Sequence, residues 1–272
     1  MKWLQAIQNK FPRHKYAINA KLLGDDCECA WTNLGYWDDA TSFYPMACQQ
    51  LAEHLAQAVQ LQPQDRLLDL GCGQGASLKY WLEHYQIQNL EAVELQQRCV
   101  NKIQKNIQLN AIHCQSFLNL KQIPFQNQFD VVMCIDAAYH SDLDVFLNAT
   151  HSVLKSNGRL GFHYLMLSDQ ALSTQQKIQY AWLLKAADVT REHLKTEQQL
   201  LQTLTQHGWS DIVIQDFSAS VFNGFAEYIE KQKIKKKRFD FEQLKIEMTA
   251  KLCRKFYQDG LVRYIQISAI KK

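Results

Sequence analysis

The sequence predicts an α/β protein built on a doubly wound, mostly parallel sheet, and three observations carry that prediction. Short apolar runs alternate with longer amphipathic stretches from Arg66 to Met166, the pattern of a sheet covered by helices on both faces. One run, Phe129–Ile135 (FDVVMCI), is apolar at successive rather than alternate positions, as in a strand buried on both sides. A glycine-rich loop, Gly71-Cys72-Gly73-Gln74-Gly75, lies between the first strand and the first helix of the series, where open α/β sheets bind their ligands.

Taken in order, Trp3, Leu4, Ile7 and Phe11 have near-helical spacing that Pro12 ends. A loop carries Gly24 to Thr41, and Ser42–Gln60 reads as a helix with Ala47, Leu51, His54, Leu55 and Val59 on one side. Residues 1–60 are therefore expected to form a helical N-terminal cap, and residues 61–272 the sheet domain. In that domain Arg66–Leu70, Leu90–Glu94, Ala111–Gln115, Phe129–Ile135 and Arg159–Met166 read as strands one to five. Helices are expected from Ala76 to Tyr85, Gln97 to Leu109 and Asp142 to Leu154, with a turn at Asn157-Gly158. Ser168–Ala187 reads as a helix with Ser168 as N-cap, and Thr196–His207 as a helix closed by Gly208. Asp211–Phe217 is a strand, Val221–Lys235 and Phe239–Tyr257 are helices, and Leu261–Ile270 is a last strand. The helices at about 168–195 and 221–258 fall between strands and are candidates for a lid.

Hydrophobic residues make up 47% of the 272 and charged residues 21%, which is ordinary globular composition. A net charge of +3 gives no argument for nucleic acid as a partner. No apolar run reaches the ~20 residues that span a bilayer, and the basic first fifteen residues lack the apolar core of a signal peptide. Eight scattered cysteines without a C-x-x-C suggest reduced thiols, a cytoplasmic setting and no metal. Nothing specifies an oligomeric state.

Two acids give the glycine loop chemical meaning. The loop itself matches G-x-G-x-x-[G/A] through Ala76, so a nicotinamide site is one reading and a purely structural turn another. Asp69 lies inside an apolar strand two residues before Gly71. A buried carboxylate there needs donors or a cation, which suits the ammonium of an amino-acid ligand better than a dinucleotide. Glu94 ends strand two about twenty residues on, placed to accept hydrogen bonds from ribose hydroxyls.

With these residues in view, DLGCGQG resembles the first motif of class I S-adenosylmethionine (SAM)-dependent methyltransferases, with Glu94 in the ribose position. Gln122-Ile123-Pro124-Phe125 followed by Gln128-Phe129-Asp130 resembles that family's stretch before strand four. The family's adenine-contacting Asp corresponds to Asn119 or Ser116. Asn33-Leu34-Gly35-Tyr36-Trp37 resembles the N-terminal segment of the small-molecule branch, which includes the tocopherol, macrolide-sugar and cyclopropane-fatty-acid methyltransferases. The resemblance covers roughly residues 30–165. It implies a Rossmann-like seven-stranded sheet with an antiparallel last strand and SAM as cofactor. It also implies a cofactor site of Tyr36, Asp69, Gly71, Cys72, Gly73, Gly75, Glu94, Leu95, Asn119, Leu120 and Ile135.

The acceptor side is read from position. Asp136-Ala137-Ala138-Tyr139-His140 follows strand four, at the mouth of the sheet. His140 is the first candidate for a base, Tyr139 the second, and a helix-capping His140 is the competing reading. Trp37, Tyr44 and His163 are candidates for the acceptor pocket, with core packing as the alternative for each. The run KIKKKR, Lys233–Arg238, with the basic N-terminus, leaves weak contact with a membrane surface as a partner expectation; a solvated helix end is the blander reading. The expected activity is methyl transfer to a small, apolar or aromatic acceptor at O, N or C. A lipid-modifying enzyme of the cyclopropane type is the alternative; a non-catalytic SAM-binding protein and a nicotinamide oxidoreductase are alternatives of other classes.

Overall fold

The computed structural model describes residues 18–170, 173–232 and 241–272. The expected helix over Trp3–Phe11 and the Lys233–Arg238 run lie outside them.

Among the described residues seven strands form one sheet: β1 (Arg66–Leu70), β2 (Asn89–Glu94), β3 (Ala111–Cys114), β4 (Phe129–Cys134), β5 (Leu154–Leu167), β6 (Trp209–Asp216) and β7 (Val262–Lys271). Their order is β3-β2-β1-β4-β5-β7-β6. The first five run parallel, and β7 is antiparallel to both β5 and β6. The strand order reverses between β1 and β4, so a crevice opens at their carboxyl ends.

The helices are α1 (Tyr44–Ala58), α2 (Ala76–Glu83), α3 (Gln97–Asn106), α4 (Leu143–Val153), α5 (Thr174–Ala186), α6 (Glu197–Gln206), α7 (Gly224–Lys231) and α8 (Phe241–Asp259). α1 buries Tyr44, Ala47, Cys48, Leu51, Ala52, Leu55 and Ala56. It lies so close to β5 that a Cβ on Gly161 would stand 2.6 Å from Val59 and 3.0 Å from Leu55, which explains a glycine in the middle of a strand.

Several boundaries differ from the sequence expectation for identifiable reasons. The Asn157-Gly158 turn does not precede strand five but bulges within it: Leu154 pairs with Phe129 and Arg159 with Val131, while Asn157 takes φ +61°. Ser168 does not cap a helix. It extends β5, its N–H donating to the Leu261 carbonyl at 3.0 Å. The cap of α5 is Ser173, which forms a reciprocal capping box with Gln176. The helix expected from Val221 begins as a π-helical turn, Ala219–Asn223, and becomes regular at Gly224. All eight cysteines are free, and no helix among the described residues is long and apolar enough to cross a membrane.

Candidate active site at the carboxyl edge of the sheet

The glycine loop leaves β1 with the Gly71 N–H donating to the Val93 carbonyl at 2.8 Å. Gly71, Gly73 and Gly75 all have positive φ, at +69°, +55° and +93°. Gly75 is required twice over: it opens α2 in a left-handed conformation, and a Cβ there would stand 2.8 Å from Ile103 of α3. Cys72, between them, is buried.

Glu94 reaches back over this loop from the end of β2. It is 5% exposed; Oε2 accepts from the Gly73 N–H at 3.0 Å and Oε1 from the Gln96 N–H at 2.8 Å. Leu95 beside it is 50% exposed. On the 3-10 turn Phe117–Gln122, Asn119 is exposed and Leu120 fully buried. Ser116 is occupied as that turn's cap, its hydroxyl accepting from the Leu118 N–H at 3.3 Å, which leaves Asn119 as the exposed polar group.

Asp69 is 1% exposed and accepts from the Trp81 indole N–H at 2.7 Å and from the Ser77 hydroxyl. It therefore ties β1 to α2. Burial outweighs both donors and pushes its carboxyl up to about 6.

The second half of the crevice follows β4. Ile135 is half-buried, and Asp136 adopts φ +52°. The loops after β1 and β4 are in contact, since a Cβ on Gly71 would stand 3.0 Å from that of Ala137. Oδ1 of Asp136 accepts from the hydroxyls of Tyr139 at 2.9 Å and Tyr264 at 2.8 Å; Oδ2 accepts from the Leu34 N–H at 3.1 Å. Desolvation outweighs these three donors and raises this carboxyl to about 6. Burial, with the facing carboxylate second, holds the Tyr139 phenol well above its usual range.

His163 supports Asp136 from β5. Its Nδ1 accepts from the Asp136 N–H at 3.4 Å, and its Nε2 lies 3.2 Å from Oε1 of Gln266. That arrangement requires the neutral tautomer protonated at Nε2, and burial depresses the ring to about 3. His163 is thus a neutral, wholly enclosed support.

The remaining expected residues divide. His140 is exposed, with Nδ1 3.0 Å from the Asp188 carbonyl, so it bridges the turn Ala138–His140 to the segment after α5. Tyr36 packs on His54 and Phe217 at centroid distances of 4.2 and 5.0 Å. Trp37 is a packing residue: it stacks on Tyr228 at 4.2 Å, its backbone N–H donates to the Ser220 carbonyl and its indole N–H to the Leu34 carbonyl. Tyr44 has no exposed surface, and its hydroxyl donates to the Asn33 carbonyl at 2.7 Å. For these last two the structure favours core packing over an open pocket wall.

Sequence reasoning quoted Asp136 but gave it no role. The signal was present, because Asp136 directly follows an apolar strand much as Asp69 interrupts one. Tyr264 carried no local signal; antiparallel pairing of Leu165 with Tyr264 brings it to the site.

The family model of mycolic acid cyclopropane synthetase matches residues 28–256. Erythromycin 3''-O-methyltransferase of Saccharopolyspora erythraea is 29% identical over 160 residues, 55% of this chain and 52% of that protein. The chain spans about half the length of the curated relatives it matches. A mycolic acid cyclopropane synthase solved with SAH and CTAB superposes with a TM-score of 0.72 at 16% identity, covering 92% of this chain and 93% of that one. A geranyl diphosphate methyltransferase solved with GPP and sinefungin gives 0.73 at 14% identity, covering 99% and 100%. These two likenesses show a common fold. The family match extends over most of the chain and includes the glycine loop, Glu94 and Asp136, so the chain belongs to the mycolic acid cyclopropane synthetase family, within the class I SAM-dependent methyltransferases.

Proposed function

We propose that the chain transfers the methyl group of SAM to a small, apolar or aromatic acceptor at O, N or C. The observation that carries this is the contact between the loops after β1 and β4, which gives a glycine-rich loop and the Asp136 cluster one shared crevice. The chain's residues fit the cofactor. Glu94 supplies two acceptor oxygens for ribose hydroxyls, Leu95 an exposed apolar surface and Asn119 an exposed amide for the base. Gly71, Gly73 and Gly75, with Cys72, offer backbone that a ligand can approach closely; Asp69, Tyr36, Leu120 and Ile135 shape its surroundings.

Bound SAM supplies a methyl group on a sulfonium, a leaving group that needs no further activation. What the protein adds is alignment and exclusion of water, together with a place for a proton. Asp136 is the group placed to take it, directly or through the Tyr139 hydroxyl. A carboxyl near 6 is ionised at neutral pH yet closer than an ordinary aspartate to the range useful for proton transfer. The exposed His140, held to the Asp188 carbonyl, serves better as a strut.

The matched family favours a second reading, an alkene-bearing lipid as acceptor; loss of a proton to Asp136 suits that reaction equally. Eight free thiols support a reducing, cytoplasmic setting. Weak membrane contact through Lys233–Arg238 is supported by the sequence, and flotation with anionic liposomes tests it.

Calorimetric titration with S-adenosylhomocysteine tests the central reading. Micromolar binding by the wild type, lost in Glu94→Ala and Asp69→Ala, is expected. A folded wild-type protein that does not bind removes it. Labelled SAM with apolar alcohols, phenols, amines and cis-alkenes then finds the acceptor, and product formation excludes a non-catalytic binder.

A further inference from the structure

A groove of about 270 Å³ opens beyond β5, lined by Leu167, Ser168, Lys177, Arg191, Thr196 and Leu261, and also by Asp169 and Gln170. Its size falls just under the ~300 Å³ at which pockets for whole small ligands begin, so it suits one chemical group rather than an entire substrate. It lies on the same edge of the sheet as Asp136. Tyr164, three residues before Leu167, donates to the carbonyl of Ser141, directly after the turn that carries Tyr139. The segment that carries Arg191 also begins beside Asp188, the partner of His140.

Two polar groups of this groove are unsatisfied. The Ser168 hydroxyl and the Arg191 Nε–H are both buried without a hydrogen-bond partner, two of only five such side-chain atoms among the described residues. Ser168 is 8% exposed. Buried polar groups are ordinarily paired, and each unpaired one has a cost. Neither Lys177 nor Arg191 has a carboxylate within ion-pair distance among the described residues, although Lys195 nearby is paired with Asp144 at 3.1 Å. With Asp169 as the one acid, the lining carries a net charge of +1. Lys177 also stands one residue past the first turn of α5, a turn without acidic residues.

Ser168, Arg191 and Lys177 line one small groove, and a hydroxyl, a guanidinium and an ammonium are the donors that suit a tetrahedral oxyanion. We propose that this groove binds a phosphoryl group carried by the acceptor, so that the methyl acceptor is an apolar chain ending in a phosphate. The assignment of that phosphate to the acceptor rests on the methyltransferase reading; the anion site itself does not.

Calorimetric titration of the full chain with butyl phosphate at low salt, alongside S-adenosylhomocysteine, is the test. The wild type is expected to bind butyl phosphate and not butanol, more weakly as salt is added. Lys177→Gln/Arg191→Gln is expected to lose at least roughly tenfold in affinity with S-adenosylhomocysteine binding unchanged. Lys177→Gln alone, at an exposed position, keeps the comparison available if Arg191 proves necessary for folding. Absence of butyl phosphate binding, or equal binding by the folded variants, overturns the proposal. Flotation with phosphatidic acid in phosphatidylcholine vesicles, lost in the double variant, identifies a lipid head; butyl phosphate binding without flotation identifies a soluble phosphoester. If S-adenosylhomocysteine fails to bind while butyl phosphate still depends on the two cations, the methyltransferase reading falls and the anion site stands.

Discussion

Asp136→Asn is expected to stabilise the fold at neutral pH while it abolishes methyl transfer. Burial lifts this carboxyl from 3.8 to about 6 against three donors. A shift of about two units at ~1.4 kcal/mol each makes the ionised form about 3 kcal/mol less favourable in the folded protein than in the unfolded chain. The sign follows from proton counts. Between about pH 4 and 6 the folded state keeps a proton that the unfolded chain has released, so this group's contribution falls as pH rises and is constant above about 6. Asparagine resembles the protonated acid. Its carbonyl can accept from Leu34, and the hydroxyls of Tyr139 and Tyr264 can turn to accept from its amide. Urea unfolding of both proteins from pH 4 to 8, at equal m-values, should give equal stabilities near pH 4 and a variant up to about 3 kcal/mol more stable at pH 7. A variant less stable at pH 7, with a gap independent of pH, would show that the donors outweigh burial and that Asp136 has no raised affinity for a proton.

Other consequences are open to direct measurement. Gly75→Ala forces a left-handed alanine against Ile103 and is expected to lower stability by about 1–3 kcal/mol, read by thermal melting. Glu94→Gln should weaken S-adenosylhomocysteine binding at least roughly tenfold, as an amide accepts fewer hydrogen bonds than a carboxylate, and lower the melting temperature, since its amide would face the Gly73 or Gln96 N–H. His163 is held to about 3, so it favours unfolding as pH drops below ~6.5 and the unfolded chain takes up a proton. A difference curve against His163→Asn should show this acid-sensitive component, on the order of 5 kcal/mol in full, and a flat difference would mean that the ring takes up a proton as readily in the folded protein as in the unfolded chain.

The sequence was most legible where a local pattern has a single physical cause. FDVVMCI could only be a doubly buried strand, and it is the fourth, between β1 and β5. The glycine loop followed by an acid at a strand end points to a nucleoside ligand, and the family match closes the nicotinamide reading that Ala76 had left open. Legibility failed where two distant segments had to meet. Tyr264 and Gln266 look like ordinary residues of an apolar strand until antiparallel pairing puts them beside Asp136 and His163. Tyr44 and Trp37 illustrate the same limit: the sequence leaves pocket wall and core packing both open for aromatics near a suspected site, and only the fold shows the π-helical turn and Gly224 packed against Trp37. Ser168 misled because a serine before a polar stretch resembles a cap, and only Ser173 has the matching glutamine three residues on.

The antiparallel strand β7 lies between β5 and β6 rather than at an edge, and this has a consequence for assembly. During synthesis the glycine loop, Glu94 and Asp136 all exist long before residues 262–271 are made. Until those residues insert, β5 and β6 have no common partner, Asp136 lacks the Tyr264 hydroxyl, and His163 lacks Gln266. Sheet closure and completion of the hydrogen bonds around Asp136 are therefore one event, and a chain that stops short of β7 would carry every recognisable motif while holding its acid in the wrong surroundings.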